Sequence, residues 1–91
     1  MTPENVRVIL LDHFSGAFAV RGVNPQNVGD DFDLLMEGII DSMGIMEMVG
    51  ALEERLGMEI DFDDLPADDL TIIGPLSRYI AERVNGAGST T

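Results

Sequence analysis

The chain has 91 residues, of which 45% are apolar, and it contains no cysteine. It can therefore form one small domain with a hydrophobic core, but neither a disulfide framework nor a cysteine-based zinc site. A net charge of −12, from 17 acidic and five basic residues, argues against binding to nucleic acid or to an anionic membrane. Because no apolar run reaches the roughly 20 residues of a membrane span and no signal peptide is evident, we expect a cytoplasmic protein.

The negative charge is concentrated in the middle of the chain. Residues 30–69 contain 14 acidic side chains and a single base, Arg55, whereas the remainder carries a net charge of +1. Such a segment either keeps the protein soluble as a solvated surface or attracts partners that present a basic patch. Charge alone does not decide between these two interpretations.

The first predicted helix begins at Thr2-Pro3, since Thr is a good N-cap and Pro is favoured at the first helical position. It closes near Arg21, before Gly22. Apolar residues recur along it at spacings of three and four, which places them on one face. These residues are Val6, Ile9, Leu10, Phe14, Ala17 and Phe18.

Residues 23–40 show no clear helical period and include Pro25, Gly29 and Gly38. We predict a long loop that scattered apolar residues attach to the core. Those residues are Phe32, Leu34, Leu35 and Ile39. Loops of this length in a small domain usually have a function.

The second predicted helix spans Ser42 to Leu56 and stops at Gly57, which is a typical C-terminal residue. One face carries a continuous apolar stripe, which we predict to be buried. The stripe consists of Ile45, Met48, Val49, Leu52 and Leu56. The opposite face carries Met43, Met46, Glu47, Gly50, Glu53 and Glu54.

An acidic connector follows, with a short helix predicted at Pro66–Leu70 and a last helix that begins between Thr71 and Pro75. The last helix contains Leu76, Tyr79, Ile80 and Val84. The predicted fold is therefore an all-α four-helix bundle with three longer helices, one short helix and a long loop between the first two. We expect a single domain at 1–84 and a flexible Gly- and Ser-rich tail at 85–91.

Ser42 places a hydroxyl group at the N-terminus of a helix. The first N–H groups of a helix lack intrahelical partners, and the helix dipole favours negative charge there, so this position suits a phosphate. The simpler interpretation is that Asp41 or Ser42 only caps the helix, because both residue types are preferred N-caps.

The segment Gly38-Ile39-Ile40-Asp41-Ser42-Met43-Gly44 resembles the acyl carrier and peptidyl carrier protein family, in which Asp-Ser-Leu or Asp-Ser-Met opens the second of four helices. The resemblance covers roughly residues 32–84. It implies that Ser42 carries a 4'-phosphopantetheine arm, donated by coenzyme A, on which acyl or aminoacyl groups are held as thioesters. Asp41 corresponds to the family's acidic residue beside the attachment serine.

The resemblance also implies partners. A phosphopantetheinyl transferase would attach the arm, and a loading ligase or synthase would approach with a basic docking patch. The implied partner-recognition residues are Met43, Met46, Glu47, Glu53 and Glu54. The family has a polar residue two positions after the serine, and Gly44 departs from that pattern. We expect a monomer that is a substrate of enzymes and has no catalytic or metal-binding residues of its own.

The resemblance favours discrete carriers of aminoacyl or unusual acyl groups, including D-alanyl carriers, over fatty-acid carriers. Fatty acid, polyketide and nonribosomal peptide biosynthesis all remain open as the pathway. An acidic helical interaction module without a cofactor is the alternative function. A calcium site is disfavoured because Pro66 stands where the loop starting at Asp61 needs glycine, and a hydrolase because His13 is the chain's single histidine.

Overall fold

The computed structural model describes residues 1–66 and 68–89, apart from the side chains of 87–89, and this part of the chain is all-helical without a β-strand. The predicted all-α fold is thereby confirmed. The four α-helices are α1 (Pro3–His13), α2 (Ser15–Arg21), α3 (Ser42–Leu56) and α4 (Ile73–Ser89), with a short 3-10 helix at Pro25–Asn27. No helix in the described residues is both long and apolar enough to cross a membrane.

The first predicted helix is divided at Phe14 into α1 and α2. Its start is confirmed, because the Thr2 side chain accepts a hydrogen bond from the Asn5 N–H and Asn5 Oδ1 accepts one from the Thr2 N–H. Phe14 departs from helical geometry with φ −98° and ψ 13°. Helical hydrogen bonds continue on either side, from Phe14 N–H to Leu10 O and from Phe18 N–H to Phe14 O. The division is thus a local irregularity at Phe14, and both segments pack on one core.

The predicted inward face of this first segment is confirmed. Val6, Leu10, Phe14 and Phe18 are buried, and Ile9 and Ala17 pack partly buried against them. Hydrophobic periodicity sets this face, since burying each large apolar side chain contributes roughly 1.5–3 kcal/mol.

Helix α3 has the predicted bounds. Met48, Val49 and Leu52 are buried, and Ile45 and Leu56 pack partly buried against the core. The helix stops at Gly57, which takes the left-handed conformation with φ 62°, a conformation that favours glycine.

The predicted short helix at Pro66–Leu70 is not found in the described residues. The chain instead forms turns there, in which the Asp69 N–H donates to Pro66 O and the Ile72 N–H donates to Asp69 O. Both bonds span three residues, so no α-helical pattern is established. Ala67 lies outside the described residues. The described residues still contain four α-helices, because the first predicted helix is divided into α1 and α2.

Helix α4 begins at Ile73, within the predicted window, and extends to Ser89. It therefore enters the segment that we predicted as a flexible tail. Asn85 explains part of this extension, because its side chain pairs with both the N-terminal amine and the carbonyl of Met1, at 2.7 Å each. These bonds tie the start of the chain to α4. Thr90 and Thr91 lie outside the described residues.

Candidate functional site

Helix α3 begins at Ser42 because Asp41 caps it. Asp41 is extended, with φ −106° and ψ −177°, and its Oδ1 accepts a hydrogen bond of 2.7 Å from the Gly44 N–H. The Asp41 carbonyl accepts the first helical bond, from the Ile45 N–H at 3.1 Å. This arrangement is the usual N-cap, in which a carboxylate satisfies one of the free N–H groups of the first turn.

Because Asp41 performs the capping, the Ser42 hydroxyl is not needed for it. Ser42 is exposed, and within residues 1–66 and 68–89 no group forms a hydrogen bond with its side chain. The sequence left open whether Asp41 or Ser42 caps the helix, and the structure shows that Asp41 does. Ser42 presents a free hydroxyl group to solvent at the first position of the helix.

The surroundings of Ser42 fit a phosphodiester. In the described part of the chain, no protein acceptor is bonded to the backbone N–H of Ser42 or Met43. Free N–H groups and the positive end of the helix dipole stabilise an anion at this position. The Gly44 N–H already donates to Asp41, so two of the first-turn donors remain for a phosphate on Ser42.

Asp33 attaches the loop before the site to Thr71, which lies two residues before α4 begins. Asp33 Oδ1 accepts hydrogen bonds from the N–H groups of Leu35 and Met36 and from the hydroxyl of Thr71, the last at 2.7 Å. The Leu34 N–H donates to Thr71 O at 2.8 Å. Buried Leu34 therefore fixes the loop against the segment that leads into α4.

The same loop is joined directly to the segment that leads into Ser42. The Leu34 carbonyl accepts hydrogen bonds from the N–H groups of Ile39 and Ile40, and both isoleucines are buried. Buried side chains and paired backbone on the approach hold the start of α3 in one position.

Sequence reasoning missed a further contact in this loop. Arg21, at the end of α2, donates from Nε to Gly38 O at 3.1 Å, and Gly38 has φ 75°. A Cβ at position 38 would collide with the Arg21 guanidinium, and the positive φ would also strain any other residue. A glycine four residues before the helix was the available signal, but nothing in the sequence indicated Arg21 as its partner.

Four of the five predicted recognition residues are exposed on α3. Met43 and Met46 are 79% and 61% exposed, which is high for large apolar side chains, and Glu47 and Glu54 are also exposed. Glu53 differs, because it is half-buried and its Oε2 accepts a hydrogen bond of 2.8 Å from the Ile60 N–H. Its carboxylate therefore holds the connector against α3.

Gly44 stands where the family has a polar residue, and the packing around it leaves little room for a side chain. A Cβ at this position would lie 3.2 Å from Asp41 Oδ1 and 3.3 Å from Ile40 Cβ. Both distances are tighter than ordinary van der Waals contact, so the cap or Ile40 would have to move. Glycine allows the capping carboxylate to approach the helix backbone closely.

The acidic side chains do not form a metal centre in the described residues, where no group of three or more potential ligands converges. The exposed acidic residues of the connector, such as Asp63 and Asp64, are spread along turns. The negative charge of the connector is therefore spread over an extended, exposed surface.

The comparisons with known proteins cover the same region. Residues 17–80 match the family described as phosphopantetheine attachment site. The acyl carrier protein of Chlamydia trachomatis serovar D is 32% identical over 82 residues, which is 90% of this chain and 95% of that protein. The acyl carrier protein of Chlamydia muridarum is 29% identical over the same coverage. That of Wolinella succinogenes is 34% identical over 58 residues, or 64% of this chain and 74% of that protein. No solved structure shows a significant match.

The helical fold and the match together define a small non-catalytic carrier domain. The chain belongs to the phosphopantetheine attachment-site family, and the family resemblance read from the Asp41-Ser42-Met43 segment is confirmed. Its cofactor is accordingly the phosphopantetheine group of that family.

Proposed function

We propose that Ser42 carries the phosphopantetheine arm and that acyl or aminoacyl groups ride on it as thioesters between partner enzymes. The observation that carries this proposal is the exposed Ser42 hydroxyl, which no described residue binds, at the first position of α3 within the matched residues 17–80. The Ser42 Oγ would lose its proton and form the phosphodiester bond to the pantetheine phosphate of coenzyme A, while the pyrophosphate bond breaks and adenosine 3',5'-bisphosphate leaves. When bound, the group supplies the thiol that this cysteine-free chain lacks.

Asp41 has two tasks in this proposal. It caps α3 through Oδ1, which orients the first turn and leaves the Ser42 side chain directed at solvent. It is itself exposed, so the carboxylate is accessible to a phosphopantetheinyl transferase and the metal ion that enzyme brings. Losing Asp41 would therefore affect both the helix start and the modification reaction.

The partners in this proposal recognise α3 and the acidic surface around it. Met43 and Met46 offer adaptable apolar contacts, since methionine has a flexible and polarizable side chain. Glu47 and Glu54 add negative charge on the same helix. A loading ligase or synthase with a basic patch would be guided to this surface by electrostatic attraction.

The protein would act as a cytoplasmic monomer that is modified and loaded by separate enzymes. The acyl carrier proteins of Chlamydia and Wolinella support the acyl form of the cargo. The resemblance of residues 38–44 to discrete aminoacyl carriers supports the aminoacyl form.

Incubation with coenzyme A and a broad-specificity phosphopantetheinyl transferase tests the proposal. The intact mass should rise by one arm, and the product should gain a single titratable thiol. An unchanged mass would instead favour a helical interaction module, in which the acidic surface binds partners and Ser42 serves only as the first residue of α3.

A further inference from the structure

The methionines of this chain lie in two contrasting environments. Four of the six are exposed, namely Met1, Met36, Met43 and Met46. Met48 and Met58 are buried in the hydrophobic core, at 1% and 7% exposure. A small oxidant in solution reaches an exposed thioether directly, whereas close packing shields a buried one while the protein is folded. The structure therefore predicts two different rates of methionine oxidation within one chain.

Met43 and Met46 are the exposed methionines of α3. Met43 directly follows Ser42, and Met46 lies three positions further on, so the two side chains are neighbours on the helix surface. Their exposed fractions of 79% and 61% leave most of each side chain open to solvent. An enzyme that acts on the Ser42 hydroxyl would approach this part of α3 and cover both methionines.

No thiol competes with these methionines for an oxidant in the unmodified chain, because the sequence contains no cysteine. Thiols and thioethers are the side-chain groups at which peroxides form sulfur–oxygen bonds. The methionine thioethers are therefore the only such groups that the protein offers before the arm is attached.

We propose that Met43 and Met46 are redox-sensitive modification sites, and that their oxidation to methionine sulfoxide slows the enzymes that act on Ser42. The inference rests on the proposed function and adds a regulation of the same site. The oxidant is a peroxide. The thioether sulfur attacks one oxygen of hydrogen peroxide and loses two electrons, the O–O bond breaks as the S–O bond forms, and the other oxygen leaves as water with both protons.

The modification changes what a partner meets on α3. Methionine is apolar and flexible, whereas its sulfoxide is polar and chiral. Burying the new oxygen against an apolar partner surface without a hydrogen-bond donor costs free energy. Both side chains lie outside the buried core, so the fold should persist. The change is reversible, because methionine sulfoxide reductases return the sulfoxide to the thioether with two electrons from a dithiol and release water.

The test uses the full unmodified chain, which is treated with hydrogen peroxide and then freed of it. Tandem mass spectrometry of proteolytic fragments would locate each added oxygen, and circular dichroism would verify the fold. Coenzyme A and a phosphopantetheinyl transferase would then be added, and the rate of arm attachment would be compared with the rate of the same protein before treatment. Two variants accompany the wild type: Met43→Leu with Met46→Leu, which keeps two apolar side chains that cannot form sulfoxides, and the matched control Met36→Leu at an exposed methionine outside α3.

Met43 and Met46 should gain oxygen several times faster than Met48 and Met58, and the attachment rate of the treated wild type should fall several-fold. Treatment with both classes of methionine sulfoxide reductase should restore that rate. The double variant should keep its own untreated rate after peroxide, whereas Met36→Leu should lose as much as the wild type.

Equal oxidation of exposed and buried methionines in the folded protein would overturn the inference. So would an undiminished rate in a wild type oxidised at both positions, or an equal fractional loss in the double variant. These outcomes leave the proposed function intact. If the untreated wild type gains no arm, the proposed function fails and this inference fails with it, and the intact mass of the untreated protein distinguishes the two cases.

Discussion

The inner and outer faces of α3 present the same residue type in opposite environments. Met46 and Met48 are two positions apart, yet Met48 is 1% exposed and Met46 is 61% exposed. The 3.6-residue period turns one into the core and the other toward solvent. Apolar character alone therefore does not show what a residue contributes on this helix. The inner methionine stabilises the fold, whereas the outer one is available for partners.

The largest expected difference between the faces is in stability. Leu52 is 2% exposed on the inner face, so Leu52→Ala should lower the free energy of unfolding by about 2–5 kcal/mol through lost burial and a cavity. The total free energy of unfolding of a small domain is only about 5–15 kcal/mol, so this loss would be a large part of it. Met46→Ala should change it by less than about 0.5 kcal/mol. Urea denaturation monitored by circular dichroism measures both, and equal losses would mean that α3 faces the core differently.

At the start of α3, the two adjacent residues should also differ. Asp41→Ala removes the cap and should cost about 0.5–2 kcal/mol of stability. Ser42→Ala removes a side chain that no described residue binds, and should cost less than about 0.5 kcal/mol. Thermal unfolding of the unmodified variants compares them. A larger loss for Ser42→Ala would show that its hydroxyl, and not the Asp41 carboxylate, caps the helix.

Two buried hydroxyl groups, one unpaired and one hydrogen-bonded, should affect stability in opposite directions. Ser77 Oγ on α4 is buried without a hydrogen-bond partner among the described residues, whereas Thr71 donates to Asp33 at 2.7 Å. Because an unpaired buried hydroxyl is costly, Ser77→Ala should raise stability by about 1 kcal/mol. Thr71→Val should lower it by about 0.5–1.5 kcal/mol. A loss of stability in Ser77→Ala would show that its hydroxyl has a partner in solution.

The smallest effect on stability is expected at the outer acidic residues. Substitutions there should instead change the rate of arm attachment. Glu54→Lys should leave the unfolding free energy nearly unchanged while slowing arm attachment at low salt, because it opposes the attraction of a basic partner. The difference from the wild-type rate should shrink as salt rises.

Glu53→Lys is the structural counterpart on the same helix. It should cost about 1 kcal/mol, since the carboxylate that binds the Ile60 N–H is lost. Attachment rates measured by mass spectrometry across salt concentrations, together with denaturation curves, separate the two residues. If Glu54→Lys attaches the arm at the wild-type rate at every salt concentration, the outer acidic residues only solvate the protein.

Helix α3 could be predicted from the sequence because its determinants are local. Asp41 gives the cap, the apolar stripe gives the inner face, and Gly57 gives the stop. One feature that differed depends on a distant contact. The extension of α4 beyond Val84 involves the pairing of Asn85 with Met1, which are 84 positions apart. No local pattern contains that information.

In the candidate site, too, the locally determined residues could be predicted and the contacts between distant residues could not. Ser42 and Asp41 were recognisable because the helix start and the family resemblance coincide on them. The supports of the site were not, because Asp33 bonds to Thr71 across 38 positions and Arg21 bonds to Gly38 across 17. Glu53 was assigned to the outer face by periodicity, and its bond to Ile60 emerges only when the connector folds back on α3.

The central claim, that Ser42 bears the arm, is tested most directly by comparing two serine variants. Ser15 and Ser42 are both exposed and both begin a helix, so Ser15→Ala is a matched control for Ser42→Ala. After incubation with coenzyme A and a phosphopantetheinyl transferase, wild type and Ser15→Ala should each gain the mass of one arm, and Ser42→Ala should gain none. A Ser42→Ala protein that still gains the arm while remaining folded would contradict the account.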